Sequence, residues 1–162
     1  MKGEDLTVPA GEGLLNVRVG AIILRGGKVL MATNDSVDYF YSVGGRVRFG
    51  ETAEEAVQRE VWEETGVHMQ VERLGFVHQV FFTDWDVYPG KQVHELALFY
   101  YMVVPENFVP RCRSVTAKGR QERLEWIDLS TETRIIYPEF FKEELQHPCR
   151  TVKSIVTREW EE

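Results

Sequence analysis

The stretch Thr52-Ala53-Glu54-Glu55, followed by helix formers as far as Gly66, leaves the backbone little choice. Thr52 and Glu55 make a capping box, in which each side chain can accept from the other residue's amide. Gly66 supplies a left-handed stop. With no Gly or Pro between them, the spacing predicts a helix over 53–65. At about 100° per residue, Ala53, Ala56, Val57 and Val61 fall on one arc, which must face a core. Glu60 and Glu64 fall in the middle of that arc, and Glu63 at its edge. A plain amphipathic helix would turn such side chains to water. Carboxylates four residues apart repel even on an open helix face, and partial desolvation raises the cost. A divalent cation relieves it, because carboxylates at this spacing are hard oxygen ligands for Mg²⁺. Trp62 lies roughly opposite, and is expected to pack against a C-terminal element or a second subunit.

Upstream, Gly44-Gly45-Arg46-Val47-Arg48-Phe49-Gly50-Glu51 is read as a loop that runs into the helix start. Glycines let a backbone approach a ligand closely, and helix-start amides favour anions. Arg46 and Arg48 are available as phosphate partners. Loop, helix start and carboxylate stripe together suit a metal-bound polyphosphate.

Around this segment the pattern is strand-rich. Asn16 to Thr33 reads as a hairpin turning at Gly26-Gly27. A short aromatic strand is expected at 39–41, and further strands at about 68–83, 92–104 and 124–129. Tyr137-Pro138 is expected to open a short helix through Leu145. Interspersed strands and helices point to an α/β or α+β fold. The chain has 162 residues, which suits one domain, with a core at about 17–145, an N-terminal extension at 1–15 and a C-terminal tail at 148–162.

Composition narrows the function. Lys and Arg number 19 against 26 Asp and Glu, a formal net charge of −7, which argues against a broad basic face for stable nucleic-acid binding. The longest apolar stretch, Ala97 to Val104, is less than half the roughly 20 residues of a membrane helix. The first residues, MKGEDLTVPAGEG, show no apolar core of a secretory signal, so a cytoplasmic protein is expected. Cys112 and Cys149 are too few and too far apart for a disulfide framework or a zinc site. His94-Glu95 lacks the second histidine of a zinc-protease motif, since Leu98 stands there. His68, His78, His94 and His147 do not cluster at ligand spacing. Glu95 stands out as a carboxylate at the head of an apolar strand. Of the aromatic residues Tyr39, Phe40, Tyr41, Phe81, Phe82 and Trp85, one or two are expected to stack on a nucleobase, Tyr41 among them.

Gly45, Glu51 and Arg59-Glu60-Val61-Trp62-Glu63-Glu64-Thr65-Gly66-Val67 match every fixed position of the 23-residue signature of the Nudix hydrolase family, from Gly45 to Val67. Weaker similarity extends over most of 17–145, so the chain resembles a MutT-like Nudix domain. The resemblance implies a mixed β-sheet sandwiched between helices. It implies that Glu60, Glu64 and Glu63 hold Mg²⁺, with Mn²⁺ as a substitute, together with the Gly44 carbonyl. It implies that Arg59 orients the carboxylates and that Glu51 is its salt-bridge partner. Ser42-Val43 stands where many relatives have Leu-Pro, a departure outside the signature.

The implied reaction is hydrolysis of a nucleoside diphosphate linked to another moiety, either of nucleotide-sugar or ADP-ribose type or a (d)NTP. Candidates for the general base are Glu63 or Glu60, then Glu95 or Glu122. The alternatives are removal of pyrophosphate from RNA 5′ ends and a non-catalytic sensor that binds a nucleotide. The expected partner is a small nucleotide substrate, and a homodimer is compatible with the resemblance.

Overall fold

The computed structural model describes residues 3–112, 115–116 and 118–160. Met1 and Lys2 of the N-terminal extension, Arg113, Ser114 and Ala117 of the loop before the last predicted strand, and Glu161 and Glu162 of the tail lie outside the described residues. Period-2 alternation of apolar side chains builds the sheet around β2 (Gly13–Ile22). One edge of β2 pairs in parallel with β7 (Lys91–Val103). Its other edge is shared by β1 (Thr7–Ala10) and the second half of β5 (Phe40–Arg46), both antiparallel. β7 continues to β6 (Gln70–Asp84), and β6 to β10 (Lys153–Arg158). The first half of β5 belongs elsewhere. It pairs with β4 (Lys28–Asn34), which also holds β3 (Leu24–Arg25) and β8 (Glu122–Asp128), while β9 (Ile136–Tyr137) adds to β5. β5 therefore changes partner midway, from β4 to β2.

The two faces carry separate cores. Val19, Ala21 and Ile23 pack with Ala56, Val57 and Val61 of α1 (Ala53–Thr65). The alternate residues Ile22, Met31, Phe99 and Tyr101 pack with Phe141 and Leu145 at α2 (Phe141–Glu144). The mixed sheet thus lies between two helices, as expected, with α1 much the larger. The helix bounds follow the sequence: the Thr52 hydroxyl accepts from Glu55 N–H at 3.1 Å, Glu55 accepts from Thr52 N–H at 2.8 Å, and Gly66 takes φ of 73°. Among the described residues no helix is long and apolar enough to cross a membrane.

Several expectations need correction. The Asn16–Thr33 hairpin is broken at Ile23: Gly26-Gly27, both at positive φ, close only the short β3–β4 turn, and β2 goes to other partners. The aromatic strand at 39–41 runs on to Arg46, so Gly44-Gly45 are strand residues and the loop begins at Val47. α2 starts three residues after Pro138 and lasts one turn. Both segments placed outside the core supply strands, β1 and β10. Among the described residues the ring partner of Trp62 is His68, with centroids 5.4 Å apart, and not a C-terminal aromatic; the side chain stays 44% exposed.

β10 is fixed to β6 partly by His78, which is only 6% exposed and shares a 2.8 Å hydrogen bond with the Thr157 hydroxyl. Burial pushes this imidazole down from 6.5 to about 4. The folded state therefore resists a proton that the unfolded chain accepts, so stability is full above about pH 6.5 and falls as pH drops towards 4. Urea unfolding of the wild type should lose on the order of 2–3 kcal/mol across that window relative to His78→Gln, which keeps a donor for Thr157 without a titrating ring. Parallel pH profiles for the two proteins would refute this role.

Candidate active site

The crossover in β5 brings the backbone unusually close to α1. Gly44 lies opposite Gly20, and Gly45 opposite Val19. A Cβ on Gly44 would sit 2.9 Å from Gly20 Cα and nearer still to the Val19 carbonyl oxygen. A Cβ on Gly45 would sit 2.5 Å from the Glu60 carboxyl carbon. The missing side chains let β5 lie close on β2 at Gly44 and let the Glu60 carboxylate rest on the strand at Gly45. Gly44 N–H donates to Glu64 Oε2 at 3.2 Å. The family resemblance assigns the Gly44 carbonyl to the metal; its amide is the group that meets Glu64.

Arg59 organises the carboxylates around it. Its Nε donates to Glu51 Oε1 at 2.6 Å and its Nη2 to Glu51 Oε2 at 3.0 Å, a bidentate pair. Nη1 donates to Glu60 Oε1 at 2.7 Å and to Glu63 Oε2 at 3.3 Å, and Nη2 also donates to the Arg46 carbonyl at 3.0 Å. Glu51 in turn accepts from Arg48 N–H at 2.9 Å. The Arg59 bonds hold the Glu51 carboxyl below its ordinary range and hold the guanidinium firmly charged.

Glu64 is left outside this network. It is 8% exposed, and its carboxyl is pushed well above the ordinary range by burial and by Glu60 and Glu122, against weaker help from the Gly44 amide and Arg18. Burial also raises Glu60, with Arg59 opposing. Glu122, at the start of β8, is brought into the same field, buried, and accepts from the Tyr41 hydroxyl. Asn34 Nδ2 donates to that hydroxyl at 3.2 Å. Burial and the bond to Glu122 push the Tyr41 phenol far up, so it stays a donor.

The other predicted residues divide between two places. Glu63 stands at the mouth, its side chain 38% exposed, with Arg48 3.9 Å away. Arg46 faces the opposite side of β5 from Val43 and Val47, and its guanidinium lies 5.9 Å from the Tyr88 ring centre. Glu95 lies away from the helix, in a cleft of about 200 Å³ bounded by β2, β6, β7, β10 and Tyr41. The sequence reading missed Arg18 and Asn34. Arg18 stands 3.9 Å from Glu95 in the cleft, and its charge reaches Glu60 and Glu64. A cation interrupting the apolar run Val17 to Leu24 was the available signal. Of the aromatic candidates, Tyr41 lines the cleft, Phe40 is core, Phe81 stacks on His94, and Trp85 is largely exposed.

Among the described residues no three His, Cys, Asp or Glu side chains close up as a ready metal cage. Glu60 is turned to Arg59, and Glu64 to the Gly44 amide. The donor set still fits a hard dication. Glu60 and Glu64 are desolvated oxygen donors with Glu122 beside them, and the Arg59 cation is already shared among Glu51, Glu60 and Glu63.

A family model described as NUDIX domain matches residues 14–143. No curated protein matches the chain. Among solved structures, a MutT Nudix hydrolase from Burkholderia pseudomallei is 24% identical, with 76% of this chain and 91% of that one covered and a TM-score of 0.54. An ADP-ribose pyrophosphatase from Streptococcus suis is 14% identical, with 87% and 98% covered and a TM-score of 0.56. A UDP-X diphosphatase is 17% identical, with 90% and 69% covered and a TM-score of 0.58. At these identities the solved structures show a shared fold.

The two glycines should respond differently to substitution. Gly44→Ala drives a methyl into the backbone of β2 and should cost about 2–3 kcal/mol in denaturant unfolding. Gly45→Ala meets only the end of the Glu60 side chain, which can swing aside, and should cost less than about 1 kcal/mol. Equal losses would mean that the close approach of β5 to β2 is not what Gly44 secures.

Proposed function

Since the chain belongs to the Nudix family, we propose that it is an Mg²⁺-dependent pyrophosphohydrolase acting on a nucleoside diphosphate linked to another moiety. The observation that carries this reading is the pair Glu60 and Glu64, pressed inward on the Gly44-Gly45 backbone with too few cations to neutralise them. A protein that only bound a nucleotide would have no need of such an arrangement. ADP-ribose and UDP-linked compounds belong among the first substrates to test, because proteins of the same fold carry those names.

In this proposal Glu60 and Glu64, with Glu63 at the mouth, hold Mg²⁺, and Mn²⁺ can replace it. The ion supplies neutralisation of charge on the attacking and leaving oxygens of the split anhydride. Arg59 fixes Glu60 through a 2.7 Å bond and shares its other donors among Glu51, Glu63 and the Arg46 carbonyl, so the carboxylate is oriented before substrate arrives. Arg48, beside Glu63, provides positive charge for a phosphate at the mouth.

Glu63 takes the general-base role. It is the helix carboxylate with solvent access, and its bond to Arg59 is the longest of the set. Glu60 is tied to Arg59, Glu122 accepts from Tyr41, and Glu95 lies in the cleft.

With Mg²⁺, the purified protein should hydrolyse at least one of ADP-ribose, a nucleotide sugar, a dinucleoside polyphosphate or a (d)NTP. Glu64→Gln should remove most of that activity while circular dichroism shows the fold retained. Glu63→Gln should lower kcat by ~10²–10⁴ with little change in KM. Full turnover in excess chelator would overturn the metal mechanism, and no turnover of any of these compounds would favour a sensor.

A further inference from the structure

The cleft beside the carboxylate cluster has a charge pattern that the hydrolytic reading leaves unused. Among its described lining residues Arg18 is the one guanidinium or ammonium, against the carboxylates of Glu95, Glu139 and Glu159. Arg18 marks the phosphate end, because it stands on β2 opposite Arg46, next to the Val19–Gly45 pair against which the Glu60 carboxylate lies. Its distance to Glu95, 3.9 Å, is too long for a hydrogen bond, so the Glu95 oxygens keep their accepting capacity. Glu139 and Glu159 stand at the rim with no cation partner among the described residues. Tyr41 and Tyr137, in register across β5 and β9, form the aromatic wall.

A group entering this cleft from a diphosphate held at Glu60 and Glu64 meets one cation, beside Glu95, and three carboxylates in all. A further phosphate or carboxylate on that group would find repulsion and no second guanidinium. Hydroxyl or amino donors would find acceptors, and a sugar or base face would find tyrosine rings. We infer that the cleft takes a substrate end group that bears hydrogen-bond donors and no negative charge, with Glu95 as the residue that sets this preference. The inference rests on the hydrolytic reading for where the diphosphate lies, and it moves Glu95 from general-base candidate to specificity.

Two matched pairs test it on the full chain with Mg²⁺: UDP-glucose against UDP-glucuronate, and NADH against NADPH. The member without the extra anionic group should be favoured at least about tenfold in kcat/KM. Glu95→Gln should move the KM values in opposite directions, raising KM for UDP-glucose and NADH and lowering it for UDP-glucuronate and NADPH. Calorimetric Kd values on the same four compounds give a readout that needs no turnover. Preferential binding without hydrolysis would support the cleft assignment and defeat the hydrolase proposal. Hydrolysis without preference would overturn the cleft assignment alone, and so would failure of all four to bind. A loss of about 100-fold in kcat on every substrate with Glu95→Gln would return Glu95 to the general-base role and overturn the inference.

Discussion

One guanidinium, Arg59, sets the positions of most of the functional groups. Its five donors are shared among Glu51, Glu60, Glu63 and the Arg46 carbonyl. Those partners lie on the loop before α1, on α1 itself and at the end of β5. A lysine could not do this, since it lacks the planar fork that engages Glu51 bidentately while bonding Glu60. The network fixes how α1 sits on the sheet at the point where β5 passes from one strand partner to another. It also consumes the nearest positive charge. Glu64, one turn further along, gets only a single backbone amide at 3.2 Å and a distant Arg18.

That imbalance is costly in a stable fold and useful in a site. A buried carboxyl beside two others shifts toward its protonated form unless something cationic arrives. The surrounding structure keeps Glu64 from the simpler escape of turning outward. Ala56, Val57 and Val61 anchor the same arc in the core, and the Gly44-Gly45 backbone lies directly over the carboxylates. The opposite face of the sheet carries a cleft with a different chemistry, aromatic and acidic with one arginine. The strand β5 contributes to both, which places the carboxylate cluster beside the cleft.

Much of this arrangement could be read from the residues. The Thr52–Glu55 box and the Gly66 stop delimit α1, and a helical wheel puts Glu60 and Glu64 inward with Glu63 at the edge; the structure buries Glu64, largely covers Glu60 and leaves the Glu63 side chain 38% exposed. The glycine pair misled about local structure while pointing to the right place. Gly-Gly commonly marks a turn, whereas here it permits one strand backbone to lie against another and against a carboxylate. β10 was hidden because Lys153-Ser154-Ile155-Val156-Thr157-Arg158 is an edge strand with half of its residues in water, so its apolar alternation is weak. Arg18 was hidden because a single cation in an apolar strand gives no hint of what it faces. For Trp62 the pattern gave an outward helix face but not its ring partner, which is as near in the chain as His68.

The inward carboxylates are most directly tested by thermal unfolding of wild type and Glu64→Gln at increasing Mg²⁺ concentration, with EDTA as the starting point. Binding to the folded state alone raises the midpoint in proportion to RT ln(1 + [Mg²⁺]/Kd). The wild type should climb steadily through the millimolar range, and Glu64→Gln should stay nearly flat. Identical curves for the two proteins, whether rising or level, would show that Glu64 does not hold the ion and would contradict the reading of this helix as a metal-binding one.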